Sequence, residues 1–142
     1  MSRRGQRDQD SHRYYDWIKA GSADLAIAEL LLRADSCYEG IAFHCQQCIE
    51  KSLKAYIIYQ TGRHVDGHNL TWLCKQALKY NQGFAEYLDE SIALNRYYIE
   101  TRYPTDIPLF LTKQTVSRAF SMAQDLYEYI CHLIYGDNID DD

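Results

Sequence analysis

No run of apolar residues in this chain approaches the roughly 18 needed to span a bilayer. The opening Met1-Ser2-Arg3-Arg4-Gly5-Gln6-Arg7 is basic but lacks the apolar stretch of a secretory signal. A cytoplasmic protein without a membrane segment is therefore expected. An excess of positive charge is missing as well, since 15 Lys and Arg stand against 20 Asp and Glu for a net charge of −5. Such a chain has no diffuse cationic field for sequence-independent nucleic-acid binding, so any phosphate contact must be local. Strand-like alternation and internal repeats are absent. A disulfide framework is excluded too: the five cysteines are odd in number and lie among apolar residues of helical segments, where they read as small core side chains. Cys45 and Cys48 have the redox spacing, but that chemistry wants a helix N-terminus after a strand, and both flanks here are helical.

What is present is helical periodicity on the scale of one domain, with 46% apolar and 25% charged residues in 142. Tyr14, Ile18, Gly21, Leu25, Ala28 and Leu32 recur at three and four, predicting a first helix over 14–34. A second runs from Tyr38 to about Thr61 and stops at Gly62, a residue suited to a left-handed cap. Asn69 can cap a shorter helix over 70–80, and a fourth begins near Phe84, burying Phe84, Leu88, Ile92 and Ile99, and ends near Arg102 ahead of Pro104. Thr112 is a natural N-cap for the last helix, whose apolar stripe runs from Val116 to Ile134 before Gly136. The fold class is thus all-α, an up-and-down antiparallel bundle of four long helices and one shorter one. The expected organisation is a flexible basic arm over 1–12, a helical domain over 13–136 and an acidic disordered tail over 137–142.

The second helix carries a polar ridge, Gln47, Glu50, Lys51 and Lys54, on an otherwise apolar rod. An exposed Glu50–Lys54 pair would stabilise the helix by only about 0.2–0.5 kcal/mol, so the ridge needs a further reason. Asp24 stands on the first helix near Ala28 and Leu31, a costly position for a lone charge, and Lys51 is its predicted partner.

The chain resembles the HEPN domain family, nucleotide-binding helical modules of higher eukaryotes and prokaryotes. The resemblance rests on Trp17 with Ala23-Asp24-Leu25, on Phe43-His44-Cys45-Gln46-Gln47 running into Glu50-Lys51 and Leu53-Lys54-Ala55, on His68-Asn69-Leu70, and on Thr101-Arg102-Tyr103-Pro104-Thr105-Asp106. It implies a helical bundle that is usually a homodimer. Many members are metal-independent ribonucleases with an arginine and a histidine about five residues apart, and many pair with a small nucleotidyltransferase in toxin–antitoxin operons. This chain departs from that pattern: five residues after Arg96 stands Thr101, and five after Arg102 stands Ile107. Without an imidazole there, no evident group moves the 2′-hydroxyl proton, which weighs against catalysis. His44, His68 and Tyr103 are the remaining substitutes.

A binding role is the alternative. Arg96 and Tyr103 are seven apart and share a helix face, with Arg102 beside them and Asp106 beyond the turn. A guanidinium suits phosphate and an aromatic ring suits a base. Through its spacing from Arg96, Tyr103 also matches a tyrosine that partner transferases adenylylate in some relatives. Asp24, Gln47, Lys51 and Asp106 would support the site. The competing structural reading has Arg102 paired with Asp106 or Asp24 and Tyr103-Pro104 anchoring the helix end. Arg63 and His68 have the catalytic spacing but lie in the wrong loop, and His64, Asp66 and His68 lack a fourth ligand, so neither a metal nor another cofactor is expected. Tyr56, Tyr59, Tyr127, Tyr129 and Tyr135 extend an apolar surface that a second copy would cover. The expected function is a homodimeric nucleotide- or RNA-phosphate-binding module acting with a nucleotidyltransferase; an endoribonuclease with a non-standard site and an inert helical interaction module are the rivals.

Overall fold

A computed structural model describes residues 10–100 and 110–136, without the side chains of 96–100. Five α-helices follow one another: α1 (Tyr14–Ala34), α2 (Tyr38–Thr61), α3 (Leu70–Leu78), α4 (Leu88–Glu100) and α5 (Lys113–Tyr135), with a 3-10 turn at Gln82–Tyr87 ahead of α4. Among the described residues there is no strand, and no helix is long and apolar enough to cross a membrane.

The helix α2 is the centre of the bundle, flanked by α1 and α5 on one side and by α3 and α4 on the other. Its residues 52–58 are all buried, which explains why its sequence is apolar nearly all round. An abrupt connector over 35–37 turns α1 back on α2, with Asp35 and Cys37 both left-handed at φ 52° and 54°. The Asp35 and Ser36 amides donate to Leu32 and Leu31, satisfying carbonyls that the helix end leaves open. The two helices then run antiparallel from Gly40 against Leu31 to the ring contact of Tyr14 with Tyr59. Gly21 sits at a close approach of the two; a Cβ there would lie 3.1 Å from Ser52 Oγ and 3.4 Å from the Cys48 carbonyl oxygen. This contact brings Asp24, one turn further on, against α2.

The first two helices and the last match the periodicity, including the left-handed Gly62 cap at φ 70°. Thr112 caps α5 by accepting from the Thr115 amide, and Thr115 Oγ1 accepts in return from the Thr112 amide. Two expectations need correction. The third helix ends at Leu78, because the Tyr80 amide closes an i, i+3 turn onto Ala77 and the chain tightens out of the α-helix. The fourth starts as a 3-10 turn, with Asn81 Oδ1 accepting from the Gly83 amide. At three residues per turn that segment advances the helical phase, so the stripe begun by Phe84 does not continue to Ile92. Ile92 is exposed, and Ser91 and Leu94 face the core instead. The expected burial of Ile99 and the end near Arg102 fall outside the described residues.

Candidate functional site

The polar ridge of α2 faces inward. Asp24 of α1 is buried, and its two carboxylate oxygens are held separately: Lys51 Nζ donates to Oδ2 at 2.6 Å, and His44 Nδ1 lies 2.7 Å from Oδ1. His44 and Lys51 are seven apart, two turns along one face of α2, so they bracket Asp24. A carboxylate only accepts, so His44 donates through Nδ1. The predicted Asp24–Lys51 pair is present, and His44 is a second partner that sequence spacing did not reveal.

One turn further, Glu50 and Lys54 form an ion pair at 3.0 Å with only 4% and 5% of their side chains accessible. His68 Nδ1 lies 2.9 Å from both Glu50 oxygens, which ties the start of α3 to α2. Lys54 Nζ also stands 5.4 Å from the centre of the Trp17 ring, within cation–π range. This arrangement supplies the missing reason for the ridge. Ionic groups this far from water need partners on every side, and here a carboxylate, an imidazole and an indole face provide them.

The outer edge of this layer continues to His64. Trp17 Nε1 donates to the Ser11 carbonyl at 2.8 Å, and the indole ring lies 5.4 Å from the His64 ring. His64 stands between two carboxylates, with Nε2 3.3 Å from Asp10 Oδ2 and Nδ1 3.6 Å from Asp66 Oδ1. Burial lowers the His64 pKa below its ordinary value, opposed by Asp10 and assisted by Lys54. The imidazole is therefore neutral at neutral pH.

The cysteines of α2 take no part in such chemistry. Burial pushes the Cys48 thiol up to about 12 against the opposing Ser52 hydrogen bond, and it raises Cys45 further, with Cys48 and Asp24 adding to the effect. Thiols held in this way are not nucleophiles near neutral pH, which fits a packing role.

The expected phosphate-binding side chains are not among those described. Arg96 lies on α4 with its side chain outside the described set, and Arg102, Tyr103 and Asp106 fall outside the described residues altogether. The residue before Arg96 is held on both sides of its side-chain amide. Asn95 Oδ1 accepts from the Leu70 amide at 2.6 Å, and its Nδ2 donates to Asn69 Oδ1 at 3.1 Å. This clamp fixes α4 to the start of α3, two residues beyond His68. Gln47, a supporting candidate, donates to the buried Gln46 side chain at 2.7 Å. Trp17, Glu50, Lys54 and the Asp10–His64 contact were not among the sequence-predicted site residues. A signal existed for Trp17, which lies seven residues before Asp24 on the same face of α1.

The comparisons with known proteins agree with this architecture. The crystal structure of TT1696 from Thermus thermophilus superposes with a TM-score of 0.75 at 23% identity, covering 84% of this chain and 97% of that one. The crystal structure of ST0689, an archaeal HEPN homologue, superposes with a TM-score of 0.69 at 24% identity, covering 86% and 98%. At these identities the likeness shows the fold. No curated protein sequence matches the chain significantly. The sequence model of the HEPN domain matches residues 14–134, which spans all five helices but for the last residue of α5. The chain belongs to the HEPN domain family.

Proposed function

We propose that this HEPN protein is a nucleotide- or RNA-phosphate-binding module, homodimeric and working with a small nucleotidyltransferase as in toxin–antitoxin pairs. Arg96 and Arg102 would take the phosphates and Tyr103 would stack on a base. The observation that carries this reading is the Asn95 clamp. It fixes the turn of α4 immediately before Arg96 to Asn69 and Leu70 at the start of α3, next in sequence to His68, so a ligand at this end would meet a rigid scaffold. Filter binding of labelled RNA and nucleotide to the Arg96→Ala, Arg102→Ala double variant tests it. Loss of binding in a variant with unchanged circular dichroism is the expected result, and unchanged binding discards the site. Co-purification with a transferase from native cells tests the partnership, and light scattering giving only a 16.6 kDa species would overturn the dimer.

A second reading, a metal-independent endoribonuclease with a non-standard site, is favoured by the Asp24–His44 contact. A buried carboxylate that accepts from Nδ1 holds an imidazole in the tautomer that leaves Nε2 able to accept a proton, as a general base requires. Incubating the protein with labelled RNA in chelator separates the readings. Cleavage that His44→Gln abolishes supports this one, and RNA intact after long incubation eliminates it.

A further inference from the structure

The loop after α2 and the segment leading into α1 are far apart in sequence, yet they converge on one imidazole. Only 6% of the His64 side chain is accessible, and its Nε2 has no hydrogen-bond partner among the described residues although it is closed off from water. Asp10 and Asp66 flank it, one carboxylate beside each ring nitrogen. A neutral imidazole has one N–H and one lone pair. The N–H can serve only one of these carboxylates, and at the other nitrogen a lone pair then faces carboxylate oxygen. Two acceptors held this close need positive charge between them.

We propose that this cluster is a divalent-cation site, with His64 Nε2 and the Asp10 carboxylate as ligands and Asp66 orienting the ring through Nδ1–H. The geometry suits it: ligand arms of about 2.0–2.1 Å at a tetrahedral angle separate two donor atoms by about 3.3–3.4 Å, and Nε2 stands 3.3 Å from Asp10 Oδ2. Donor atoms of the three residues lie within 4.8 Å of one another. Asp66 stands behind the ring, its Oδ1 3.6 Å from Nδ1, on the side that the carboxylate takes in a carboxylate–histidine–metal arrangement, and a small closure would complete that bond. Asp10 and Asp66 are half exposed, so water completes the coordination shell, and a nitrogen-plus-carboxylate donor set suits Mn2+ or Zn2+. Trp17 backs the ring on one side, and its hold on the Ser11 carbonyl keeps Asp10 within reach. A bound cation would cross-link the entry of α1 to the loop after α2. None of its three residues belongs to the proposed phosphate site, and the inference does not depend on that reading.

The test is a Mn2+ titration of the full-length 15N-labelled protein, freed of metal by chelator and followed by NMR; Mn2+ avoids capture by the exposed thiol of Cys37. The expected result is selective broadening of the Trp17 indole and His64 ring signals at below one equivalent. Asp10→Asn and His64→Gln should abolish it, and Asp66→Asn should weaken it about ten- to a hundredfold. Asp10 is half exposed, so its variant keeps the fold and the comparison stays meaningful. Broadening confined to the acidic residues 137–142, or an Asp10→Asn titration that matches the parent, overturns the site. So does a metal-free His64 with both ring nitrogens protonated at neutral pH and no Mn2+ uptake, because a proton then supplies the missing charge.

Discussion

Replacing Glu50 by Gln keeps the shape of the side chain and removes its charge, which leaves the Lys54 ammonium with 5% accessibility and no carboxylate. Removing one member of a buried pair costs about 3–5 kcal/mol, against roughly 0.2–0.5 kcal/mol for an exposed i, i+4 pair. The Trp17 ring remains beside the ammonium and offsets about 1 kcal/mol of this. The net loss should therefore be about 2–4 kcal/mol, a large part of a domain stability of about 5–15 kcal/mol. With a urea m-value of about 2 kcal/mol/M, the midpoint falls by about 1–2 M. Lys54→Met should cost less, because Glu50 keeps His68 as a partner at 2.9 Å. The double variant Glu50→Leu, Lys54→Met should recover most of the loss, since apolar groups of similar volume often replace a buried ion pair without penalty. Equilibrium urea unfolding of the three variants decides the matter. A Glu50→Gln midpoint within error of the parent, or a double variant less stable than either single one, would refute the claim that burial sets the energetics of this pair.

Gly83→Ala should destabilise by about 1–3 kcal/mol in the same unfolding assay, as overpacking does, because the new methyl would collide with the Tyr129 phenol that donates to Asn81. Iodoacetamide at pH 8 should label Cys37 first, with Cys45, Cys48 and Cys74 protected, and mass spectrometry reads the order; early labelling of Cys45 or Cys48 would contradict their burial. Burial raises Tyr87 and Tyr127 to about 12, so the folded protein holds those phenolic protons more tightly than the unfolded chain does. Stability is then complete below pH 10 and is lost as pH rises through about 12. Unfolding measured at pH 9 and 11 should show this loss, and it should be smaller in Tyr127→Phe.

Helix placement was legible because local rules govern it: the apolar spacing from Tyr14 to Leu32, the Asn69 and Thr112 caps and the Gly62 stop act within a turn or two of themselves. The phase of α4 was hidden, since a 3-10 entry changes the period without changing composition, and Ile92 was assigned to the wrong face. Part of the candidate site was legible too. Asp24 was an isolated acid in an apolar stripe, and only a basic residue on the facing helix could satisfy it; Lys51 was one. Its second partner, His44, depends on the rotation of α2, which one sequence does not specify. The cluster around His64 was legible only in part: His64 and Asp66 were weighed as metal ligands with His68 and set aside for want of a further ligand, and Asp10 was beyond reach. Asp10 and His64 are separated by the whole of the first two helices, and nothing in either loop signals that the hairpin returns one to the other.

A rod surrounded by its neighbours has no route to solvent of its own. Amide hydrogens in the middle of α2, from Ile49 to Ile57, are expected to exchange with deuterium only when the whole domain opens. Exchange there should report the same free energy as urea unfolding, whereas amides of α3, which packs by one short face, should exchange through smaller openings. The central helix thus makes the bundle a single cooperative unit, and a protease should find no intermediate in which α2 alone is released.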